Sequence, residues 1–267
     1  IKADHFVSKK GKTEKIEGVK LILDNQLENV DEIKKKLDFH KYKDVLTFFP
    51  NVMWDSAWFG LGYFCHSPAA FIMQLNKIAS NFPEILFVVR AHPGEKNAPA
   101  HMRPSGSIFS DISLKNVQLM QNLVFIDADS LISSYTLGEI SKYIVVWNGT
   151  LGLEFAARGR KIISIANSFY DKFDITEQIK SINQLEKILQ ARKKVKLGKK
   201  EVEIAKRLIY TTRYIRRTIS PIHKGNICTK FFWQSVIKNE SVFIEKFPKY
   251  FNGDLNIYEL NKLMNRA

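Results

Sequence analysis

Residue types that bind phosphate stand directly after a short apolar run near the middle of the chain. The run Ile85–Val89 is followed by Arg90-Ala91-His92-Pro93-Gly94-Glu95. A histidine N–H can donate a hydrogen bond to a phosphate oxygen, and a proline restricts the turn that presents it. A lone histidine is more often structural, but its charged neighbours favour a binding role here. We therefore expect Arg90, His92, Pro93 and Glu95 to contact an anionic ligand.

Two further stretches place small polar residues ahead of segments with a helical pattern. They are Asn148-Gly149-Thr150, which follows Tyr143–Trp147, and Ser133-Ser134-Tyr135. Backbone N–H groups at the start of a helix bind phosphate well. A plain helix cap explains each stretch equally well, with Thr150 as the capping residue and Glu154 in the first turn. Spacing alone leaves both interpretations open.

A carboxylate follows the first apolar run of the chain. Asp55 comes five residues after Pro50, which ends the run Val45–Pro50. A carboxylate just beyond a strand could act as a general base. A solvated loop aspartate is the simpler interpretation, and the residue by itself favours that one.

These residues need elements that bring them together, and the hydrophobic pattern predicts such elements. Strands are predicted at Val45–Pro50, Ile85–Val89, Leu123–Ile126, Tyr143–Trp147 and Lys161–Ile165, and helical patterns at Pro68–Asn81, Leu137–Lys142, Leu151–Arg158 and Ile175–Gln190. Nearly continuous apolar strands that alternate with helices indicate a parallel sheet covered on both faces. We predict a doubly wound α/β domain of about five or six strands over residues 45–190. Ligands of such sheets bind beyond the carboxyl ends of the strands, where the polar residues lie.

The two ends of the chain differ from this central part. Residues 1–44 are predicted to be a lead-in or linker segment with one helix near Val30–Leu37. Residues 191–267 are predicted to form a basic amphipathic helix, over 200–217, and an aromatic-rich extension of short helices. The apolar face of that helix comprises Val202, Ala205, Leu208, Ile209, Thr212 and Ile215.

Positive charge is concentrated in residues 191–217. The chain of 267 residues has a net charge of +14, and this segment contains eleven Lys/Arg and two acids. Such a segment could bind nucleic acid, dock on an anionic membrane surface, or simply be the solvated face of a structural helix. A nucleic-acid motif is not visible, which argues against the first reading. A non-catalytic scaffold using this patch is a further alternative.

Composition excludes several other classes. The longest apolar runs are about five residues, whereas a transmembrane helix needs about 20. With no signal-peptide pattern at the N-terminus, we expect a cytoplasmic protein that could be peripheral on the inner face of the membrane. Cys65 and Cys228 lie far apart without a CxxC context and are read as reduced thiols. The six histidines have no zinc-type spacing, so no metal is expected.

Four stretches resemble, in order, bacterial capsular and surface polysaccharide biosynthesis proteins, which are GT-B-like glycosyltransferases. They are FFPNVMWDSA, VVRAHPGE, DADSLISSYTLGEI and VVWNGTLGLEFAARGRKIISI, within residues 45–175. The resemblance implies a Rossmann-like domain that is one half of a GT-B architecture. Because GT-B enzymes have two such domains and the pattern predicts only one, it also implies that an upstream domain, residues 191–267 or a partner chain binds the acceptor.

The resemblance assigns roles to the candidate residues. It implies a nucleotide-sugar donor as substrate, with a CMP-sugar slightly favoured, no further cofactor and no metal. Donor phosphate contacts fall to His92-Pro93, to Ser133-Ser134 and to Gly149-Thr150. Glu154 would bind the ribose, and Asp55 would be the catalytic carboxylate, with His92 beside the leaving phosphate. The implied acceptor is a glycan or a lipid-linked glycan.

Overall fold

The computed structural model describes residues 29–52, 61–97, 118–192 and 196–212, together with the backbone of 223–224 and 227–228. The chain divides into two compact units, Ile1–Ile209 and Tyr210–Ala267. Asp55 and residues 98–117, 193–195 and 213–217 lie outside the described residues.

A six-stranded parallel sheet forms the centre of the first unit. Its strands are β1 (Asp44–Phe49), β2 (Ile85–Arg90), β3 (Leu123–Ile126), β4 (Tyr143–Val146), β5 (Ile162–Ser164) and β6 (Thr176–Gln178). Their order is β3-β2-β1-β4-β5-β6, and each neighbouring pair is parallel. The predicted α/β sheet is confirmed. The strand order reverses between β1 and β4, which makes their carboxyl ends the topological switch point of the sheet.

Helices cover both faces of the sheet, as predicted. They are α1 (Val30–Lys36), α2 (Pro68–Ala79), α3 (Ser134–Ile140), α4 (Thr150–Ala156), α5 (Ile182–Ala191) and α6 (Lys199–Tyr210). One apolar cluster joins α2 and α5 to Leu46 and Phe48 of β1. The other joins α1, α3, α4 and α6 to Val45 and Phe49 of the same strand. Alternate residues of β1 thus enter opposite clusters, as the two-residue period of a strand requires.

The helices α1 and α6 belong to this core. Ile33 of α1 and Ala205 and Ile209 of α6 are buried in the second cluster. The helix predicted near Val30–Leu37 is confirmed, as is the first part of the helix predicted over 200–217. The packed core therefore extends beyond residues 45–190 on both sides.

The helix predicted over Ile175–Gln190 is wrong at its start. Thr176–Gln178 instead pairs with β5 as the edge strand β6, and the helix begins after Ser181. The Ser181 hydroxyl accepts from Gln184 N at 3.4 Å, while the Gln184 side chain accepts from Lys180 N at 2.6 Å. This reciprocal arrangement is a capping-box type of start signal, which ends the strand and fixes the first residue of α5.

Two other expectations need correction. The helix α4 begins after Gly149, which makes no side-chain cap, so Thr150 is the first helical residue and not the cap. In the second unit, His223–Lys224 (β7) pairs antiparallel with Ile227–Cys228 (β8), where short helices were expected. None of the described helices is long and apolar enough to cross a membrane.

Candidate functional site

Two asparagines join the loops at the switch point of the sheet. Asn51 follows β1 and Asn148 follows β4, and Asn51 Nδ2 donates a hydrogen bond to Asn148 Oδ1. The adjacent residue is Gly149, where a Cβ would lie 3.2 Å from Asn51 Oδ1. A small residue at 149 therefore allows the two loops to approach closely. The result is a polar, amide-lined surface where a ligand of this fold is expected.

A buried tyrosine orients the Gly149 turn from within the protein. Tyr170 is fully buried, and its hydroxyl donates to Gly149 O at 2.7 Å. Burial raises the pKa of Tyr170, so the phenol remains a donor. Since the peptide is planar and trans, a carbonyl held towards Tyr170 directs the N–H of Thr150 the opposite way. The fold thereby fixes the direction of one backbone donor at the switch point.

Gly152 makes room for this tyrosine. A Cβ at residue 152 would lie 2.6 Å from the Tyr170 hydroxyl oxygen and 3.1 Å from Val146 Cγ2. The first turn of α4 thus packs directly on the phenol. Packing against Tyr170 therefore favours glycine at residue 152, independently of any ligand.

The histidine turn lies beyond the carboxyl end of β2. Gly94 N donates to His92 Nδ1 at 2.9 Å, so the neutral ring carries its proton on Nε2. A Cβ at Gly94 would lie 2.9 Å from His92 Nδ1 and 3.3 Å from Val52 Cγ1. The turn therefore packs against the residues that follow β1. His92 itself is exposed, and Pro93 starts a short 3-10 helix, Pro93–Asn97.

Arg90 lies beneath this surface. It is 1% exposed, and its guanidinium donates to Asp127 O and, at 3.1 Å, to Ser130 O. Burial lowers the pKa of Arg90 to about 10, and the negative charges of Asp127, Asp129 and Glu95 oppose the shift. The side chain ties the loop after β3 to the end of β2. The structure does not bring this guanidinium to the surface, where a phosphate ligand would need it.

Ser133, Tyr135 and Glu154 are also joined to protein groups. The buried Ser133 hydroxyl accepts from Thr136 N at 3.4 Å and caps α3. The Tyr135 hydroxyl donates to Glu154 Oε2 at 2.7 Å, and Glu154 is only 3% exposed. Arg158 stacks on the Tyr135 ring, 5.1 Å from its centroid. Tyr135 and Glu154, two of the predicted donor-site residues, are therefore brought together, in a part-buried contact between α3 and α4.

The remaining predicted residues are placed as follows. Ser134 is the first residue of α3 and is half-buried, and Glu95 is half-buried near Arg90. Asp55, the predicted catalytic carboxylate, lies outside the described residues. Its role stays a prediction. Within the described ranges, three His, Cys, Asp or Glu side chains are nowhere grouped so as to hold a metal.

The sequence analysis missed a second anchoring centre at Asp171. This buried carboxylate accepts from Ser168 N at 2.8 Å, from the Thr176 hydroxyl at 2.8 Å and from the Tyr63 hydroxyl at 3.0 Å. Burial, reinforced by Asp171, raises the pKa of Tyr63 to about 12. The cluster fixes the loop after β5 next to Tyr170. Asn51 was missed too, although a polar residue directly after a predicted strand was a usable signal.

No protein-family model and no curated protein matches the chain. Solved structures do resemble it, with weak agreement in sequence and shape. The β-Kdo 2,4-transferase KpsC of Thermosulfurimonas dismutans is 12% identical, at a TM-score of 0.39, over 66% of this chain and 54% of that one.

Two more solved structures show a similar level of likeness. Wall teichoic acid polymerase TagF is 16% identical, at a TM-score of 0.38, over 68% of this chain and 42% of that one. The β-Kdo 2,7-transferase KpsC of T. dismutans is 14% identical, at a TM-score of 0.37, over 77% and 57%. The chain spans about half the length of these proteins. The strand order itself defines the fold. It is Rossmann-like.

Proposed function

We propose that this chain is a glycosyltransferase, or the donor-binding domain of one, acting in capsular or surface polysaccharide assembly. The observation that carries the proposal is the polar surface at the switch point. There Asn51, Asn148 and the oriented N–H of Thr150 lie beyond the ends of β1 and β4, beside the His92 turn of β2. Three of the four sequence stretches that resemble polysaccharide biosynthesis proteins contain these loop residues: FFPNVMWDSA contains Asn51, VVRAHPGE contains His92, and VVWNGTLGLEFAARGRKIISI contains Asn148.

The chemistry required is the displacement of a nucleotide phosphate from the anomeric carbon of a sugar. The acceptor hydroxyl oxygen forms the new bond to that carbon, and the bond to the phosphate oxygen breaks with its electron pair. Negative charge then grows on the leaving phosphate. Preorganised donors stabilise such charge most effectively. We assign this role to His92 Nε2–H and to the backbone N–H of Thr150.

The acceptor proton needs a base, and we assign it to Asp55. In this proposal the donors named above meet the phosphate charge without a metal ion. A CMP-activated sugar is the first donor to test. The acceptor is a glycan or a lipid-linked glycan, and an upstream domain, residues 191–267 or a partner chain supplies its site.

Nucleotide binding tests the donor site directly. Calorimetry with CMP, CDP, UDP and GDP should show binding of one nucleotide to the 267-residue chain. Losing one hydrogen bond to a charged phosphate weakens binding by about tenfold or more, so His92→Ala should lower the nucleotide affinity by that factor. Asn183→Ala is the control, since this exposed side chain on α5 lies in neither proposed site. Absence of binding, or equal losses in both variants, would contradict the donor site.

Transfer activity tests the proposed base separately. In an assay with the full protein and an acceptor glycan, Asp55→Asn should abolish transfer and leave nucleotide affinity nearly unchanged. Chelation of divalent metals should leave the wild-type rate intact. Full activity of the Asp55→Asn protein would remove Asp55 from the mechanism while leaving the donor site standing.

The basic segment 191–217 offers less free charge than its composition indicates. Arg192 donates to Glu84, and Arg207 pairs with Glu203 at 3.1 Å. These ion pairs reduce the charge available for nucleic acid. They reduce the charge available for an anionic membrane as well, so membrane docking of this segment stays a separate proposal, to be tested by sedimentation with anionic vesicles.

A further inference from the structure

A second concave surface lies at the edge of the sheet opposite the candidate donor site. It is a groove of about 920 Å³ next to the first residues of β1 and β4. Tyr42, Lys43 and Asp44 line one side, and Ser141 and Lys142 line the other. Because β1 and β4 are parallel, their starts share one edge, while Asn51 and Asn148 lie at the other edge. We call this surface the amino-edge groove.

The amino-edge groove is strongly basic. Its lining includes six cationic side chains: Lys34, Lys35, Lys43, Lys142, Arg160 and Lys196. It includes two acids, and both are already paired. Asp44 binds Lys142 at 2.8 Å, and Glu139 binds Arg158, outside the groove, at 3.0 Å.

Arg160 is also engaged with the protein. Its guanidinium donates to Ser141 O, to Glu139 O at 3.0 Å and to Lys142 O at 3.3 Å, at the end of α3. Burial lowers its pKa, and Glu139 opposes the shift. Four lysines remain that have no ion pair to any described acid: Lys34, Lys35, Lys43 and Lys196. Lys43 is nevertheless close enough to Glu84 to contribute to the lowered pKa of that carboxyl.

The fold assembles these lysines from three separate parts of the chain. Lys34 and Lys35 belong to α1, Lys43 precedes β1, and Lys196 precedes α6. A short bridge between Arg160 and Lys196, with Leu197 N donating to Gly159 O at 3.0 Å, brings the last one to this edge. Unpaired like charges repel, so gathering them in one groove costs stability that an anionic ligand would restore.

We propose that the amino-edge groove binds a polyanionic saccharide, a glycan chain bearing carboxylate or phosphate groups. A concave groove suits a single extended chain better than the flat surface of a membrane. Lysines act as point charges that accept carboxylates as readily as phosphates, and the arginine that lines the groove is engaged elsewhere. Phe39 and Tyr42 pack against the core and are half-buried, which limits the stacking area that nucleic-acid bases need.

The choice of a saccharide rests on the proposed function, whereas the anion site rests on the charges alone. The groove lies away from the reacting groups and takes no part in bond making. It holds an anionic chain on one edge of the domain while the donor occupies the other.

Binding of a defined anionic glycan tests the proposal. The probe is fluorescent oligogalacturonate, with neutral dextran of similar length as the reference, measured by anisotropy at low and physiological salt. The variant Lys34→Gln/Lys43→Gln/Lys196→Gln should lose about tenfold in affinity and most of its salt dependence. The control Lys77→Gln/Lys172→Gln/Lys187→Gln removes the same charge from exposed positions outside the groove and should bind as the wild type does.

Three results would overturn the proposal. They are equal losses in the two triple variants, binding of dextran as tight as that of oligogalacturonate, and tighter, groove-dependent binding of an oligonucleotide or of anionic vesicles. Thermal melting of both triple variants reports that they fold. Nucleotide titration separates the two proposals: groove-dependent glycan binding without nucleotide binding would refute the donor site alone, and the reverse would refute the groove alone.

Discussion

The side chains of Asn51 and Asn148 meet at the topological switch point, where Asn51 Nδ2 donates to Asn148 Oδ1. The two residues follow neighbouring parallel strands, and the bond closes the gap between their loops. It leaves amide groups of both residues at the place where the fold binds ligands. This pair gives the first test of how the surface recognises phosphate.

A negative charge at residue 148 should weaken nucleotide binding without destabilising the fold. Asn148→Asp keeps an acceptor for Asn51 but adds a negative charge beside the bound phosphate. We expect an unchanged melting temperature and a nucleotide affinity about tenfold lower or more, measured by calorimetry. Asn183→Asp, at an exposed site on α5, is the control. Unaltered affinity of the Asn148→Asp protein would place the nucleotide elsewhere.

Tyr170 and Gly152 should be energetically coupled. Gly152→Ala places a methyl group 2.6 Å from the Tyr170 hydroxyl oxygen, so it should destabilise the protein by about 1–3 kcal/mol. In a Tyr170→Phe background the oxygen is absent and the same substitution should cost less. Denaturant unfolding of the two single variants and the double variant measures the difference. Strict additivity would show that the helix does not pack on the phenol.

Tyr170→Phe also tests how the turn is oriented. Loss of the hydrogen bond to Gly149 O should lower stability by about 1 kcal/mol and weaken nucleotide binding, because the Thr150 N–H is no longer held in one direction. A loss of stability with full nucleotide affinity would confine Tyr170 to a packing role.

Arg90 should prove to be a positioning residue. Arg90→Lys keeps the charge but cannot donate to Asp127 O and Ser130 O together, so the loop after β3 should loosen. We expect destabilisation of about 2 kcal/mol or more, with faster amide exchange in residues 127–132. A variant that binds nucleotide poorly but shows native exchange in that loop would argue for direct phosphate contact instead.

Alkaline pH should weaken the fold through Tyr63. Its folded pKa is about 12, above its ordinary value, because of burial and Asp171. The stabilisation is therefore fully present below the unfolded pKa of about 10 and is lost as pH rises towards 12. Denaturant unfolding from pH 8 to 11 should show the decline, and Tyr63→Phe should reduce it. A pH-independent difference between the two proteins would exclude this titration.

The apolar pattern predicts the sheet well because parallel strands buried on both faces need continuous hydrophobic runs. The strand Leu123–Ile126 is predicted at its observed bounds, and β2 differs by one residue. The edge strand β6 escapes prediction because Thr176–Gln178 has only three residues and all of them are polar. The β-branched residues Ile175 and Thr176 are followed by the periodic residues of α5, and the whole stretch was predicted as one helix.

Contacts between distant parts of the chain could not be predicted in this way. Asn51 and Asn148 are 97 residues apart, and their bond depends on strand order. Arg90 was expected to contact an anionic ligand because it follows a strand close to His92, yet two backbone carbonyls hold its guanidinium inside the protein. The amino-edge groove is missed for the same reason, since its lysines come from three segments.

The position of β1 between β2 and β4 sets an order of events during synthesis. The pairing of β1 with β2 needs only residues up to about 90, whereas its pairing with β4 must wait for residues 143–146. A nascent chain can therefore build the β3-β2-β1 half of the sheet early. The side of β1 that will pair with β4 is then still unpaired. The switch-point surface comes into existence only when the later half docks, so truncated products of translation would lack it entirely.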